Sequence, residues 1–188
     1  MAGLKTVKPD GPPVGRSAVS IILPVHNEGS TLEVNVRQLK SMLERELGDF
    51  EIIISEDGST DGTVEAGRRL RSAGVRFFSH PARLGKGAAI KSASGYARGD
   101  IIIFMDADLA SDPGHVRELV DYLEGSAAIV VGSRYLPQSR TRRTLIRDIA
   151  SRCFNMLVRI LLGSKLADHQ CGFKAYRKGL VLPVLDEI

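Results

Sequence analysis

The chain contains no tryptophan, and aromatic residues make up only 5% of its 188 residues. Proteins that bind single-stranded nucleic acid stack the bases on aromatic side chains, so this composition argues against that class. The formal net charge is only mildly positive, at +4. A charge of this size also suits anionic lipid headgroups or a phosphorylated substrate. We therefore predict no nucleic-acid partner.

Cysteine is scarce as well. The two cysteines, Cys153 and Cys171, lie far apart in the sequence and form no C-x-x-C motif. Because a zinc site built from cysteine needs closely spaced ligand pairs, the sequence argues against one. We expect both thiols to be reduced, as in cytoplasmic proteins, and to pack in the core as small apolar groups.

Long apolar runs and familiar phosphate-binding loops are also missing. No run approaches the roughly 20 residues of a membrane-spanning helix, and the amino terminus lacks the apolar stretch of a signal peptide. This predicts a chain that is soluble or bound at a membrane surface. Neither G-x-G-x-x-G nor G-x-x-x-x-G-K-[ST] occurs, which argues against a dinucleotide-dependent oxidoreductase and a P-loop nucleoside triphosphatase.

Short apolar runs alternate with segments of helical periodicity from residue 18 onward. Residues 1–17 are rich in proline and glycine and are predicted to be a flexible leader. Five strands are predicted at 20–25, 50–55, 75–79, 101–105 and 127–131, and helices at 32–47, 60–73, 86–97 and 113–124. The strands are continuously apolar, which predicts an α/β fold with a mostly parallel, doubly wound sheet in a single domain over 18–188.

Three polar clusters follow predicted strands, at residues 24–28, 56–63 and 106–108. The carboxyl ends of parallel strands meet at one edge of the sheet, so we expect the clusters to converge on one cleft. In an extended chain Asp106 and Asp108 point the same way, and together they suit one hard cation, Mg2+ or Mn2+. The alternative for an isolated Asp-x-Asp is a helix N-cap with an acidic partner.

These segments resemble the inverting glycosyltransferases of family 2, which have the GT-A fold. The resemblance is carried by Leu23-Pro24-Val25-His26-Asn27-Glu28, Glu56-Asp57-Gly58-Ser59-Thr60-Asp61-Gly62-Thr63, Gly85-Lys86-Gly87 and Asp106-Ala107-Asp108. It is strongest to the polyprenyl-phosphate sugar synthases, which include dolichyl-phosphate glucosyltransferase and mannosyltransferase. That narrower likeness also uses Gly132-Ser133-Arg134-Tyr135 and the segment 168–177.

The resemblance implies a nucleotide-sugar site in residues 18–110. Pro24, Asn27 and Glu28 would line the nucleoside, and Asp57 would accept a hydrogen bond from an N–H of the base ring. The second motif more often opens with Asp-Asp, whereas here Glu56 precedes Asp57, so we assign this role to Asp57. A single carboxylate accepts from uracil or guanine alike and does not distinguish a UDP donor from a GDP donor.

The resemblance also implies that Asp106 and Asp108 are catalytic and bind the metal that bridges the donor diphosphate. Arg83 and Lys86 are expected to reach the same phosphates, although a solvated basic turn explains them as well. Mannosyl-type relatives often carry glutamine two residues after the second aspartate. This chain has Ala110 there, which favours glucose over mannose.

Residues 111–188 are expected to hold the acceptor. A basic, amphipathic segment at 140–163 suits a helix in a lipid headgroup layer, and an ordinary surface helix explains it as well. Arg134, Gln170 and Lys174 are assigned to an acceptor phosphate, with Arg134 also catalytic. We find no general base after the metal motif. An ionised phosphate attacks without one, whereas a sugar hydroxyl needs one.

The resulting hypothesis is a metal-dependent, inverting transfer of glucose or mannose from a UDP- or GDP-sugar to a polyprenyl phosphate. The reaction would take place at the cytoplasmic face of a membrane, with the protein bound peripherally. Two alternatives remain: the same fold with a saccharide acceptor, and a fragment that binds nucleotide sugar without turnover. Relatives usually continue with another acidic motif and a final strand, whereas this chain ends at Ile188. We therefore expect a C-terminally truncated domain.

Overall fold

A computed structural model describes residues 5–7, 18–132, 155–156, 158–161, 163, 168 and 171–187. Its strands are β1 (Lys5–Val7), β2 (Val19–Val25), β3 (Phe50–Asp57), β4 (Arg76–His80), β5 (Ile101–Phe104), β6 (Ile129–Val131) and β7 (Lys174–Arg177). Its α-helices are α1 (Leu32–Glu46), α2 (Thr63–Leu70), α3 (Lys86–Tyr96), α4 (Val116–Gly125) and α5 (Lys178–Asp186). Further helical residues lie at 155–156 and 158–161.

The strands form one seven-stranded sheet in the order β1-β6-β7-β5-β2-β3-β4. The four neighbours β5, β2, β3 and β4 are parallel. β7 is antiparallel to both β5 and β6, so β6 runs in the direction of the central strands. The predicted α/β class and parallel centre are confirmed, and the antiparallel strand β7 is an addition that the sequence pattern did not indicate.

Helices cover both faces of the sheet. Successive residues of a strand point to opposite faces and therefore pack against different helices. Ile21 and Leu23 of β2 pack in the larger core with the buried sides of α1, α2 and α4. Ile22, between them, packs in a second core with Ala93 of α3 and with α5. All three β2 residues are fully buried, which explains why this strand is continuously apolar. The doubly wound arrangement is therefore confirmed.

Several boundaries differ from the prediction. α2 begins at Thr63, three residues later than predicted, because Gly62 has a positive φ of 89° and Asp61 forms a turn with Thr63. Lys5–Val7 pairs antiparallel with β6, although the sequence predicts no regular structure in the leader. Backbone pairing needs no apolar pattern in so short a strand, which is why the pattern gave no sign of β1.

Among the described residues, no helix is both long enough and apolar enough to cross a membrane. Most of the basic segment 140–163 lies outside the described residues. Of the part that is described, Met156, Ile160 and Leu161 are helical and exposed. Cys171 is buried in the core, as expected, whereas Cys153 is not among the described residues.

Candidate active site

Four loops meet at the edge of the sheet where the parallel strands end. They follow β2 (26–31), β3 (58–62), β4 (81–85) and β5 (105–112). The polar clusters therefore lie at one edge of the sheet, as predicted, whereas their convergence on one cleft remains a prediction. Pro24 lies in β2 opposite Ser55 of β3, beyond the point where the pairing of β2 with β5 ends at Ile22 and Phe104. The missing N–H of proline is tolerated at a position like this one.

Asn27 connects the first loop to the second. Its backbone N–H donates to Ser59 Oγ (3.0 Å), and its side-chain Oδ1 accepts from the backbone N–H of Thr60 (3.0 Å). Asn27 has a φ of 57°, a left-handed conformation that asparagine tolerates better than most residues. The exposed Asn27 therefore shapes the loop, and its amide nitrogen faces His26 Nε2 at 3.4 Å.

Thr63 and Asp61 hold the same pair of loops from the other side. The fully buried Thr63 hydroxyl accepts from the Glu28 backbone N–H (2.8 Å) and donates to Asp61 Oδ1. Asp61 Oδ2 accepts from the Gly29 N–H (3.1 Å). The hydrogen bond from Thr63 is the main cause that lowers the pKa of Asp61 below its ordinary value. Asp61 therefore stays ionised and holds the Gly29 backbone directly, while the Thr63 hydroxyl holds that of Glu28.

Asp57, the predicted base-binding residue, is almost fully buried. Its two carboxylate oxygens accept from the backbone N–H groups of Leu84 (2.6 Å) and Gly85 (2.9 Å). Its carbonyl oxygen accepts from His26 Nδ1 (2.8 Å), which leaves Nε2 as the acceptor of that ring. Asp57 thus joins the loops that follow β2, β3 and β4. Its assignment to the nucleobase remains a prediction.

Glu56 faces the opposite side of β3 and is fully buried. Its carboxylate accepts from Ser79 Oγ (2.5 Å) and from the Ser59 backbone N–H. The buried Glu56 carboxylate therefore stabilises the loop 58–62 that follows β3.

Gly58 lets the loop after β4 come close. Its φ is 66°, and an ideal Cβ at this position would lie 2.6 Å from the Arg83 backbone nitrogen. The Arg83 side chain is exposed. The loop that carries Arg83 is therefore fixed by backbone contacts, while its guanidinium faces solvent at the edge where the four loops meet.

The chain turns at the acid pair. Leu109 N–H donates to the Asp106 carbonyl (3.3 Å), and Leu109 has a φ of 54°. The sequence-based expectation of an extended chain through Asp106 and Asp108 is wrong, since Ala107 and Asp108 lie in a turn. Both acids nevertheless stay accessible. The buried residues here are Met105, which precedes Asp106, and Ala107, which lies between the two acids.

Lys86, the first residue of α3, contacts this pair. Its ammonium forms an ion pair with Asp106 Oδ1, and the side chains of Lys86 and Asp106 are 50% and 40% exposed. Asp108 is exposed, and its Oδ1 accepts from the Ala110 N–H (2.9 Å). The Asp106 carboxylate therefore already holds a cationic group at the position predicted for a metal ion.

The residues present fit Mg2+ or Mn2+ as part of a ligand set. Among the described residues no group of three or more His, Cys, Asp or Glu side chains is arranged to hold a metal. Asp106 and Asp108 offer carboxylate oxygens, the ligand type that hard divalent cations prefer, and such ions commonly take further ligands from phosphate and water. The acid pair therefore suits a metal that is shared with a substrate.

The segment 171–173, next to β7, also reaches the acid pair, and the sequence alone assigns no role to Gly172. An ideal Cβ on Gly172 would overlap Asp106 Oδ2 and lie 2.8 Å from Asp106 Cγ. Only this spatial contact singles out Gly172. Lys174, predicted to bind the acceptor, lies nearby with its ammonium 5.8 Å from the centre of the Phe104 ring. Arg134 and Gln170 lie outside the described residues.

A family model described as glycosyl transferase family 2 matches residues 20–182. The chain is 39% identical to the glycosyltransferase AglD of Haloferax volcanii over 175 residues, which cover 90% of this chain and 28% of AglD. It is 30% identical over 173 residues to a dolichyl-phosphate beta-glucosyltransferase of Trichomonas vaginalis, with 85% of this chain and 51% of the relative covered. The chain thus spans about half of the length of the second relative and less than a third of the first.

A solved structure gives the same result. Glucosyl-3-phosphoglycerate synthase from Mycobacterium tuberculosis, in complex with Mn2+, UDP and glucosyl-3-phosphoglycerate, superposes with a TM-score of 0.64 at 28% identity. The match covers 88% of this chain and 58% of that enzyme. The family match spans most of the chain and includes the four loops described above. The chain therefore belongs to glycosyl transferase family 2 and has the GT-A fold.

Proposed function

We propose that this chain transfers a hexose, glucose or mannose, from a UDP- or GDP-sugar to a polyprenyl phosphate, with metal dependence and inversion. The observation that carries the proposal is the meeting of the Asp106–Asp108 turn and Lys86 with the loops of Asn27 and Asp57 at one sheet edge. Relatives of the chain include a dolichyl-phosphate glucosyltransferase, which supports a lipid phosphate acceptor.

In the proposed mechanism, residues 18–110 bind the donor. Pro24, Asn27 and Glu28 line the nucleoside, and Asp57 accepts a hydrogen bond from an N–H of the base ring. Arg83 and Lys86 contact the phosphates. Asp106 and Asp108 hold the divalent cation, which would neutralise the charge that develops on the departing diphosphate. Lys86 is the residue for which the structure gives most support, because its ammonium already lies against Asp106.

The acceptor is proposed to react without a general base. Its phosphate has a second pKa of about 6 and is mostly ionised at neutral pH. An oxygen of that phosphate forms a bond to the anomeric carbon while the bond from this carbon to the donor β-phosphate oxygen breaks. The electron pair leaves with the nucleoside diphosphate, and in-line attack inverts the carbon. Arg134, Gln170 and Lys174 are proposed to hold the acceptor phosphate.

Peripheral contact with the cytoplasmic face of a membrane is part of the proposal. The arginine-rich segment 140–163 is suited to anionic headgroups. Its helical residues Met156, Ile160 and Leu161 are 57%, 73% and 70% exposed. Large apolar side chains at this exposure support contact with the apolar boundary of a lipid layer.

Transfer is tested with labelled UDP-glucose and GDP-mannose, Mn2+, and either a polyprenyl phosphate or free saccharides as the acceptor. We expect label in the lipid fraction with one donor. Label that enters only saccharides would favour the saccharide acceptor. Calorimetry that detects donor binding, together with no transfer to any acceptor, would favour a binding fragment.

The metal assignment gives a separate prediction. Asp108→Asn is expected to lower Mn2+-dependent transfer at least about a hundredfold, because it removes a charged ligand from the proposed metal site. The matched control is Asp100→Asn, since Asp100 is an exposed aspartate next to the opposite end of β5. Transfer rates measured over a Mn2+ titration, with circular dichroism to check folding, distinguish the two. Equal rates for both variants would exclude Asp108 as a ligand.

A further inference from the structure

The segment 171–173 is held firmly on both sides of Gly172. Cys171 and Phe173 are each only 5% exposed and pack in the larger core. The Phe173 carbonyl accepts from the Gly132 N–H (2.9 Å) at the end of β6. An ideal Cβ on Gly132 would lie 3.2 Å from that carbonyl oxygen, so the two backbones are already in close contact. The segment therefore has little freedom to move away from the acid pair.

Gly172 leaves no room for a side chain beside Asp106. A Cβ would overlap Oδ2 and would lie 2.8 Å from Cγ and 3.2 Å from Oδ1, so the whole carboxylate faces this glycine. The φ of Gly172 is not among the positive values of the chain. Space for Asp106, and not backbone conformation, is therefore what requires glycine at this position.

Lys86 contacts the same carboxylate through its other oxygen, Oδ1. The carboxylate is thus confined between an ammonium on one side and a glycine backbone on the other. A metal site requires its ligand oxygens at defined positions, so groups that orient a ligand affect metal affinity without touching the metal. Lys86 comes from the nucleotide half and Gly172 from the acceptor half.

We propose that Gly172 is a positioning residue that sets the Asp106 carboxylate in the orientation that binds the divalent cation, an inference that rests on the proposed function. Segment 171–173 bounds the metal site on one side. Through this contact the acceptor half determines the orientation of a metal ligand in the nucleotide half. A side chain at position 172 pushes the carboxylate toward solvent, where it no longer shares a cation with Asp108.

The test compares two glycines that meet different neighbours. Gly172→Ala displaces a side-chain carboxylate. Gly99→Ala places its Cβ 2.6 Å from the Ala18 carbonyl oxygen and 2.7 Å from the Ser20 nitrogen, both backbone atoms far from the site. Mn2+ affinity is measured by the electron paramagnetic resonance signal of free Mn2+, with and without UDP, and Tm is measured on the same samples.

We expect Gly172→Ala to weaken Mn2+ binding at least about tenfold with a Tm change below about 3 °C. Gly99→Ala is expected to lower Tm by about 5 °C or more and to leave Mn2+ affinity unchanged. Unchanged Mn2+ affinity in Gly172→Ala, alongside a loss in Asp106→Asn, overturns the role of Gly172 alone. No Mn2+ binding by the unaltered chain, even with UDP, overturns the proposed metal site and this inference with it.

A second pair of variants tests the contact between Gly172 and Asp106 without changing the glycine. Asp106→Glu adds a methylene where Gly172 leaves no space, whereas Asp108→Glu adds it at an exposed turn position. We expect Asp106→Glu to lose at least about tenfold more Mn2+ affinity than Asp108→Glu. Equal losses in the two variants contradict the proposal, and this comparison holds even if Gly172→Ala does not fold.

Discussion

Lys86 pairs with Asp106 in the structure, whereas the proposed function assigns its ammonium to the donor phosphates. The pair is about half exposed. An ion pair at this exposure contributes at most about 1 kcal/mol. Removing the ammonium therefore frees Asp106 for a metal ion at little cost, but also removes a contact for the donor phosphates.

Lys86→Met is accordingly expected to bind Mn2+ alone about two- to fivefold more tightly than the unaltered chain and to bind UDP more weakly. Calorimetric titration with Mn2+ and with UDP measures both affinities. Lys91→Met, farther along α3, serves as the control and should change neither. Weaker Mn2+ binding by Lys86→Met would show that the ammonium does not compete with the cation.

At the level of elements, the loop between β3 and α2 acts as the scaffold of the site. Thr63 is the central contact, since its hydroxyl both accepts from Glu28 N–H and donates to Asp61. Thr63→Val keeps the shape of the side chain but leaves the partly buried Glu28 N–H without this acceptor. We expect a loss of about 1–3 kcal/mol in the free energy of unfolding and weaker UDP binding.

The control for this prediction is Thr60→Val. Thr60 is exposed, and it contacts Asn27 through its backbone N–H, which the substitution to valine keeps. Urea unfolding of both variants, followed by UDP titration, gives the two quantities. Equal stability of the two variants would mean that the Thr63 hydroxyl does not couple the loops.

Sequence patterns predict some elements better than others for physical reasons. The central strands are continuously apolar because both of their faces are buried, and that pattern is visible in one dimension. β7 contains Lys174 and Arg177 in four residues, and its place is decided by pairing with β5 and β6. The polar loops were predictable as a group because parallel strands share one edge, whereas the contact of Gly172 with Asp106 depends on tertiary packing alone.

On the scale of the whole molecule, Glu51 of β3 links β2, β4 and the residues after α3, at the end of the strands opposite the four loops. Its carboxylate accepts from Ser20 Oγ (2.6 Å), the Arg98 backbone N–H (2.6 Å) and Arg76 (2.8 Å). Burial raises the pKa of Glu51, but these hydrogen bonds outweigh it, so the pKa lies below its ordinary value of 4.5. The ionised form therefore stabilises the fold, fully above pH 4.5 and progressively less as the pH falls through the lowered value.

Glu51→Gln should consequently have a lower Tm than the unaltered chain at pH 7, and the gap should narrow as the pH falls below about 4.5. Thermal unfolding at a series of pH values measures this difference. Glu46→Gln, at the exposed end of α1, is the control and should leave Tm nearly unchanged at pH 7. A gap for Glu51→Gln that stays constant down to pH 3 would contradict the linkage.

The position of β7 between β5 and β6 has a consequence for synthesis on the ribosome. The parallel strands β2 to β5 can pair as soon as residue 104 has emerged. β6 joins these strands only through β7, which requires residues 174–177. During that interval the nascent chain presents β5 as an open strand edge, the kind of surface on which chains aggregate. We therefore expect the nascent chain to need chaperones most after residue 104 and before residues 174–177 have been synthesised. In that interval Gly172 has not yet packed beside Asp106.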